Sequence, residues 1–341
     1  MAASELKFDL ETVSCALCGS DLYDVYLPRA KELYNGLDAW FDVVRCRQCD
    51  FVFTNPRPTS ETIHCFYPDS AQYYKPKTSR LKEGSWSRKK WKKTLQQSAI
   101  SRRFGYPLPR VAGFLDVVPS FAWHKKLRLS HLPRFVPDGR LLDIGCAWGG
   151  YLWRMQELGW EVHGIELNAS AAHYAQEELG LSTVRTGSFA DLDYPEGSFD
   201  VVHMSMVLEH LYEPATVLCR INKLLRPDGQ FILSVPDISG FEARLFKGKC
   251  YTLQVPQHLS HFTPQTLTRF LDQTGFEVEE ILHQSSKKDF IKSAGYLENK
   301  MSRVVNHPFV RGAILGPVVR VLSSLGKTSR MSIFARKERD L

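Results

Sequence analysis

From Arg140 onward the period of the apolar positions keeps switching. "RLLDIG" (140–145) is a short apolar run closed by Gly145, and "GGYLWRMQELG" (149–159) has helical spacing between glycines at both ends. "WEVHGIEL" (160–167) reads as a second strand, "ASAAHYAQEELG" (169–180) as a helix and "FDVVHMS" (199–205) as a further strand. "EPATVLCRINKLLRPDG" (213–229) and "QFILSVPD" (230–237) repeat the helix-to-strand step. Apolar runs of strand length alternating with amphipathic helices predict an α/β fold, a parallel sheet covered by helices on both faces. Ligands of such sheets bind at the carboxyl ends of the strands.

The first 66 residues follow another rule. "DLYDVYLP" and "WFDVVRC" read as strands, and the pairs "CALC" (Cys15, Cys18) and "CRQC" (Cys46, Cys49) flank them. Gly19 and Asp50 follow the pairs, residue types that tolerate the left-handed backbone of a tight knuckle. Four thiolates form the tetrahedral set that zinc favours, and a set with no open position is structural. Residues 1–66 are thus expected to be a small zinc-binding module and 67–134 a partly helical connector. A larger domain is expected over 135–341. "TSETIHCFY" reads as a short capped helix at the module's exit.

Net charge adds one feature. The chain of 341 residues carries +7, yet between Lys75 and Arg103 there are eleven Lys or Arg against one acid, Glu83, with Trp86 and Trp91 among them. Such a stretch suits nucleic acid, an anionic lipid surface or a phosphorylated substrate, or serves as a solvated connector. "FVRGAILGPVVRVLSSLG" (309–326) is short for a membrane span and contains Arg311 and Arg320, so it is expected as a helix. No apolar run follows Lys7, which gives the expectation of a cytoplasmic protein.

The glycine-rich turn after the first strand is a nucleotide fingerprint, and Asp143 decides its kind. An acid at this strand end would repel a dinucleotide pyrophosphate, whereas the ammonium and sulfonium of S-adenosylmethionine are attracted to it. Glu166, at the end of the second strand, is placed to accept from ribose hydroxyls. In order, "LLDIGCAWGGYL", "VHGIELN", "GSFADLDYPEGSFDVVHMSMVLEHLYEP" and "LLRPDGQFILSVPD" resemble the motifs of class I S-adenosylmethionine-dependent methyltransferases over roughly residues 135 to 340. The resemblance implies a Rossmann-like seven-stranded sheet. It also implies cofactor contacts from Asp143, Gly145, Ala147, Gly149, Glu166, Phe189 and Met204. Ala147 replaces a customary glycine and Ser188 a customary acid, which leaves the adenine to Phe189 and nearby backbone. "FEVEEILHQ" and "MSIFARKE" are similar to the family's closing antiparallel strands, with a helical insertion over about 288–329 that would cover the active site or touch a membrane surface.

Two loop histidines are candidates for accepting a proton from the acceptor. His210 lies in "MVLEHLYEP" and His258 in "VPQHLSHFTP", both expected just beyond strand ends. His261 reads as structural support. No third ligand accompanies the pair in sequence, so metal is not expected there. With the four cysteines, these segments resemble the sugar C-methyltransferases that act on nucleotide-linked deoxysugars and the wider group of zinc-bearing glycan and natural-product methyltransferases. Val255 stands where the sugar enzymes have a tyrosine. This moves the expected reaction toward methylation of a hydroxyl, or of an acidic carbon, on a sugar, glycolipid or small metabolite. An RNA-directed methyltransferase is the alternative. Against it, "HMSM" replaces the Asn/Asp-Pro-Pro-aromatic motif of base-amine enzymes, and no Pro-Cys or Thr-Cys pair is present.

Overall fold

The computed structural model describes residues 8–67, 90–109, 131–191, 193–284, 286–297 and 300–340. Most of the basic stretch, including Trp86, lies outside the described residues, as do positions 110–130 of the expected connector. The helix Lys90–Phe104 (α1) retains the last part of the stretch.

Seven strands form the main sheet: Arg140–Ile144 (β6), Glu161–Glu166 (β7), Val184–Thr186 (β8), Phe199–Ser205 (β9), Leu225–Pro236 (β10), Phe276–His283 (β12) and Arg330–Lys337 (β13). Their order is β12-β13-β10-β9-β6-β7-β8. The β10-β9-β6-β7-β8 block is parallel throughout, and β13 runs antiparallel between β10 and β12. The alternation read from residues 140–237 produces the parallel block: each β-strand is buried on both faces because helices cover both. Leu141, Val201 and Ile232 pack on the side of the helix Gly150–Glu157 (α2), whereas Leu142, Ile144, Val202 and Leu233 pack on the opposite side.

The amino-terminal residues build a two-stranded ladder from Leu10–Glu11 (β1) and Arg57–Pro58 (β5) and a larger second sheet from Tyr23–Lys31 (β2), Trp40–Cys46 (β3) and Val52–Thr54 (β4). Its fourth strand comes from the other end of the chain: Ser260–His261 (β11) pairs antiparallel with β4, Ser260 opposite Phe53 and His261 opposite Val52. Sequence places His258 and His261 together on a loop, and this pairing gives part of that loop a register. Phe51 joins the two halves. Its ring lies 5.7 Å from Phe262 and 5.0 Å from Phe270, on the helix Pro264–Gln273 (α6). The core on this side of the main sheet therefore runs without interruption into the module.

The expected insertion is helical, with Lys287–Gly295 (α7), Lys300–Asn306 (α8), a π-turn over Val310–Ile314 and Leu315–Ser324 (α9). Val319 and Leu315 pack inward while Phe309, Val318, Val321 and Leu325 are exposed. Among the described residues no helix is long and apolar enough to cross a membrane.

Candidate active site

The turn after β6 is shaped by backbone that most residues resist. Gly145 has φ +73°, Ala147 +47° and Gly149 +75°. A Cβ on Gly145 would lie 2.5 Å from Val207 Cγ2, and one on Gly149 would meet Leu181 and Ala175 at 2.7 and 2.9 Å. These two glycines thus serve both the left-handed turn and the close approach of neighbouring segments. Ala147 takes the same conformation with a side chain, and its amide donates to Glu166 Oε2 at 2.8 Å. The other carboxylate oxygen, Oε1, accepts from the Asn168 amide at 2.9 Å. Glu166 therefore braces the glycine turn from the end of β7, and Asn168 goes on to cap the helix Ala169–Leu179 by accepting from Ala171 N.

Asp143 sits almost wholly buried beneath the turn, with Oδ1 2.6 Å from His203 Nδ1 on the adjacent β9. A chain of side chains stands behind it. His131 Nδ1 lies 3.1 Å from His203 Nε2, and Gln284 Nε2 lies 3.1 Å from His131 Nε2. One direction of donation fits the chain: Gln284 donates to His131, His131 to His203, and His203 to Asp143. Burial pushes His131 down to about 3, with His203 and Arg154 adding to the effect. Tyr151 stacks on His203 at 3.9 Å between ring centroids. Nothing in the spacing of the sequence marks this relay as a unit. Its signal was a histidine inside the apolar strand "FDVVHMS", a polar group that a buried position must pair.

Glu209, His210 and His258 meet at the carboxyl end of β9. Glu209 and His210 belong to the short turn Leu208–His210 that follows the strand, and Glu209 is fully buried at 0% exposure. His258 Nε2 lies 4.0 Å from Glu209 Oε1, and the rings of His210 and His258 meet edge to face at 4.7 Å. One ligand-type atom from each of the three lies within 4.8 Å of the others. Glu209, distant in sequence from His258, is the third group of this cluster. Backbone carbonyls orient both rings, with His258 Nδ1 3.0 Å from Thr252 O and His210 Nδ1 2.9 Å from Gln257 O. Tyr67 Oη also approaches His210 Nδ1, at 3.0 Å. Neither carboxylate oxygen of Glu209 has a hydrogen-bond partner among the described residues. Burial raises its pKa to about 8, lowers that of His210 to about 4 and puts that of His258 well below its ordinary range, helped there by His210 and His261.

His261 stands apart from this group. Its Nε2 is 3.1 Å from Thr54 Oγ1, which also donates to the His258 carbonyl at 2.9 Å. The module thus holds the histidine loop through one hydroxyl. Val255 is buried, and it borders a small crevice together with Lys31, Tyr34, Tyr251, Gln254 and Tyr296.

The four cysteines converge as the knuckles require. Cys15 Sγ lies 3.4 Å from Cys49 Sγ, and Cys18 Sγ lies 3.5 Å from Cys46 Sγ. These separations exceed a disulfide and approach the ~3.8 Å edge of a sulfur tetrahedron built on zinc bonds of about 2.3 Å. Burial pushes Cys15 up to about 11. At Cys46 burial acts the same way, but the amides of Gln48 and Cys49 and the Cys18 thiol outweigh it and bring the thiol down to about 7.

The family described as "Methyltransferase domain" matches residues 118–281. A probable S-adenosylmethionine-dependent methyltransferase of Mycolicibacterium smegmatis is 29% identical over 142 residues, 42% of this chain and 53% of its own. Nocamycin O-methyltransferase of Saccharothrix syringae is 40% identical over 136 residues, 37% of this chain and 49% of its own. The chain spans about half the length of these two. The ubiquinone biosynthesis O-methyltransferase of Aromatoleum aromaticum is 31% identical over 162 residues, 43% of this chain and 67% of its own. The chain belongs to the class I S-adenosylmethionine-dependent methyltransferases. Within this methyltransferase, Phe189 lies in a short turn at the strand-end edge, its ring covered by the Arg220 guanidinium at 5.1 Å. Next to it, Asp191 Oδ2 accepts from the Ser188 amide at 3.2 Å. Met204 is completely buried with Ile144 and Leu208, so its side chain belongs to the core.

Proposed function

We propose that this methyltransferase moves the methyl group of S-adenosylmethionine to a hydroxyl oxygen of a small metabolite such as a sugar, glycolipid or natural product. The observation that carries the reading is the Glu209–His210–His258 cluster at the carboxyl end of the sheet, the edge that bears the cofactor turn. An oxygen nucleophile must lose its proton as the C–O bond forms, and buried imidazole and carboxylate groups at that edge are suited to lowering the cost of the loss. Two of the relatives named above are O-methyltransferases, which supports oxygen as the acceptor atom.

The donor set of the amino-terminal cluster fits zinc. Cys15, Cys18, Cys46 and Cys49 would hold one ion whose work is structural, since four thiolates leave no open coordination position.

The test is a set of candidate acceptors assayed with purified enzyme and S-adenosylmethionine. Replacing His258 by Ala is expected to lower turnover by about 10² to 10⁴ while S-adenosylhomocysteine affinity stays within a factor of two or so. Wild-type turnover in that variant would remove the cluster from the reaction.

A further inference from the structure

Glu209 has an arrangement that protein interiors avoid. Its carboxylate is fully buried, both oxygens lack a hydrogen-bond partner among the described residues, and the nearest ligand-type atom is His258 Nε2 at 4.0 Å. A buried carboxylate left in this state costs several kcal/mol unless something pairs with it. The surrounding groups favour a cation as that partner. His258 Nδ1 is taken by the Thr252 carbonyl, and His210 Nδ1 faces both the Gln257 carbonyl and the Tyr67 hydroxyl, two acceptors that one Nδ1–H serves. A carbonyl accepts only from N–H, so these contacts put the proton on Nδ1 and leave a lone pair on Nε2 of each ring. Histidines that ligate metals are commonly oriented this way, by a backbone acceptor on the other nitrogen.

We propose that Glu209, His210 and His258 bind one divalent first-row transition cation that also takes an oxygen of the acceptor. Two imidazoles and one carboxylate favour such an ion over Mg²⁺ or Ca²⁺, which prefer all-oxygen sets. The spacing needs only modest closure. The three ligand-type atoms lie within 4.8 Å of one another, and metal bonds of about 2.0 to 2.2 Å require separations near 3 to 4 Å. Three protein ligands leave positions open for substrate, unlike the closed four-thiolate cluster at the other end of the chain. The inference rests on the oxygen-acceptor reading and gives it a mechanism. A cation-bound hydroxyl is a stronger acid, so its proton passes to solvent water as the oxygen attacks. The S–CH₃ bond breaks as the O–CH₃ bond forms, and the sulfur keeps the bonding electron pair. His258 then acts as a ligand, and its free Nε2 is used by the ion rather than by the proton.

Co²⁺ titration of the zinc-loaded full-length protein, followed by visible absorption, tests the site. One equivalent per chain should enter with weak d–d bands and without the intense charge-transfer absorption of thiolate coordination. Glu209→Gln and His258→Asn should each weaken uptake at least tenfold, while S-adenosylhomocysteine binding by calorimetry shows that both variants remain folded. Retained affinity for Co²⁺ in both variants would overturn the site, as would no saturable uptake by the wild type or uptake with thiolate bands alone. Because this readout involves no acceptor, its failure is distinct from failure of the O-methylation reading, which product analysis decides.

Discussion

Gly145 shows how much one residue carries. Its positive φ and the 2.5 Å approach of Val207 to a would-be Cβ mean that Gly145→Ala must distort either the turn or the segment after β9. The expected cost is about 1 to 3 kcal/mol of stability, read by urea unfolding, together with weaker S-adenosylhomocysteine binding. His131 gives a prediction in pH. Its folded pKa of about 3 lies below the ordinary histidine value of 6.5, so on acidification the unfolded chain takes up a proton that the fold refuses. This contribution to stability is complete above about pH 6.5 and declines as pH falls toward 3. Replacing His131 by Gln should flatten the acid side of the stability profile; an unchanged slope would show that the relay to Asp143 does not constrain this ring. Both effects depend on contacts made across the sheet. The glycine turn itself was readable because its spacing is local, while His131, His203 and Gln284 are scattered in sequence and meet only through strand pairing.

At the scale of elements, β11 matters more than its two residues suggest. Thr54 on β4 donates to the His258 carbonyl and contacts His261 across a separation of 207 positions. Thr54→Val removes both links at little change in volume. It should cost about 1 to 3 kcal/mol and lower turnover by a larger factor than it lowers cofactor affinity, a split that steady-state kinetics and calorimetry measure. Equal loss in both would place the effect on the whole fold. The alternation from Arg140 to Asp237 foretold β6, β7, β9 and β10 with the helices between them, since periodicity is a property of each segment alone, whereas the three-residue β8 is too short to show one. It could not foretell that "HLSHFTP" supplies a strand to the amino-terminal sheet, because nothing local marks Val52 and Phe53 as its partners. For the same reason the sequence showed a pair of histidines where the structure shows a trio with Glu209.

For the molecule as a whole, the module and the methyltransferase sheet share one core through Phe51, Phe262 and Phe270. Removing the zinc proposed for the four cysteines should therefore lower the thermal midpoint of the entire chain in a single transition, and not release a separately melting amino-terminal piece. Cys46→Ser should abolish that zinc. Two resolved transitions by calorimetry would contradict the shared core. The central claim, that the turn from Asp143 to Gly149 and the carboxylate of Glu166 form a site for S-adenosylmethionine, is tested most directly by calorimetric titration of the purified protein with S-adenosylhomocysteine. The account predicts one saturable site per chain, weakened at least tenfold in Glu166→Ala. No detectable binding by the folded wild type, or equal affinity in that variant, would contradict it.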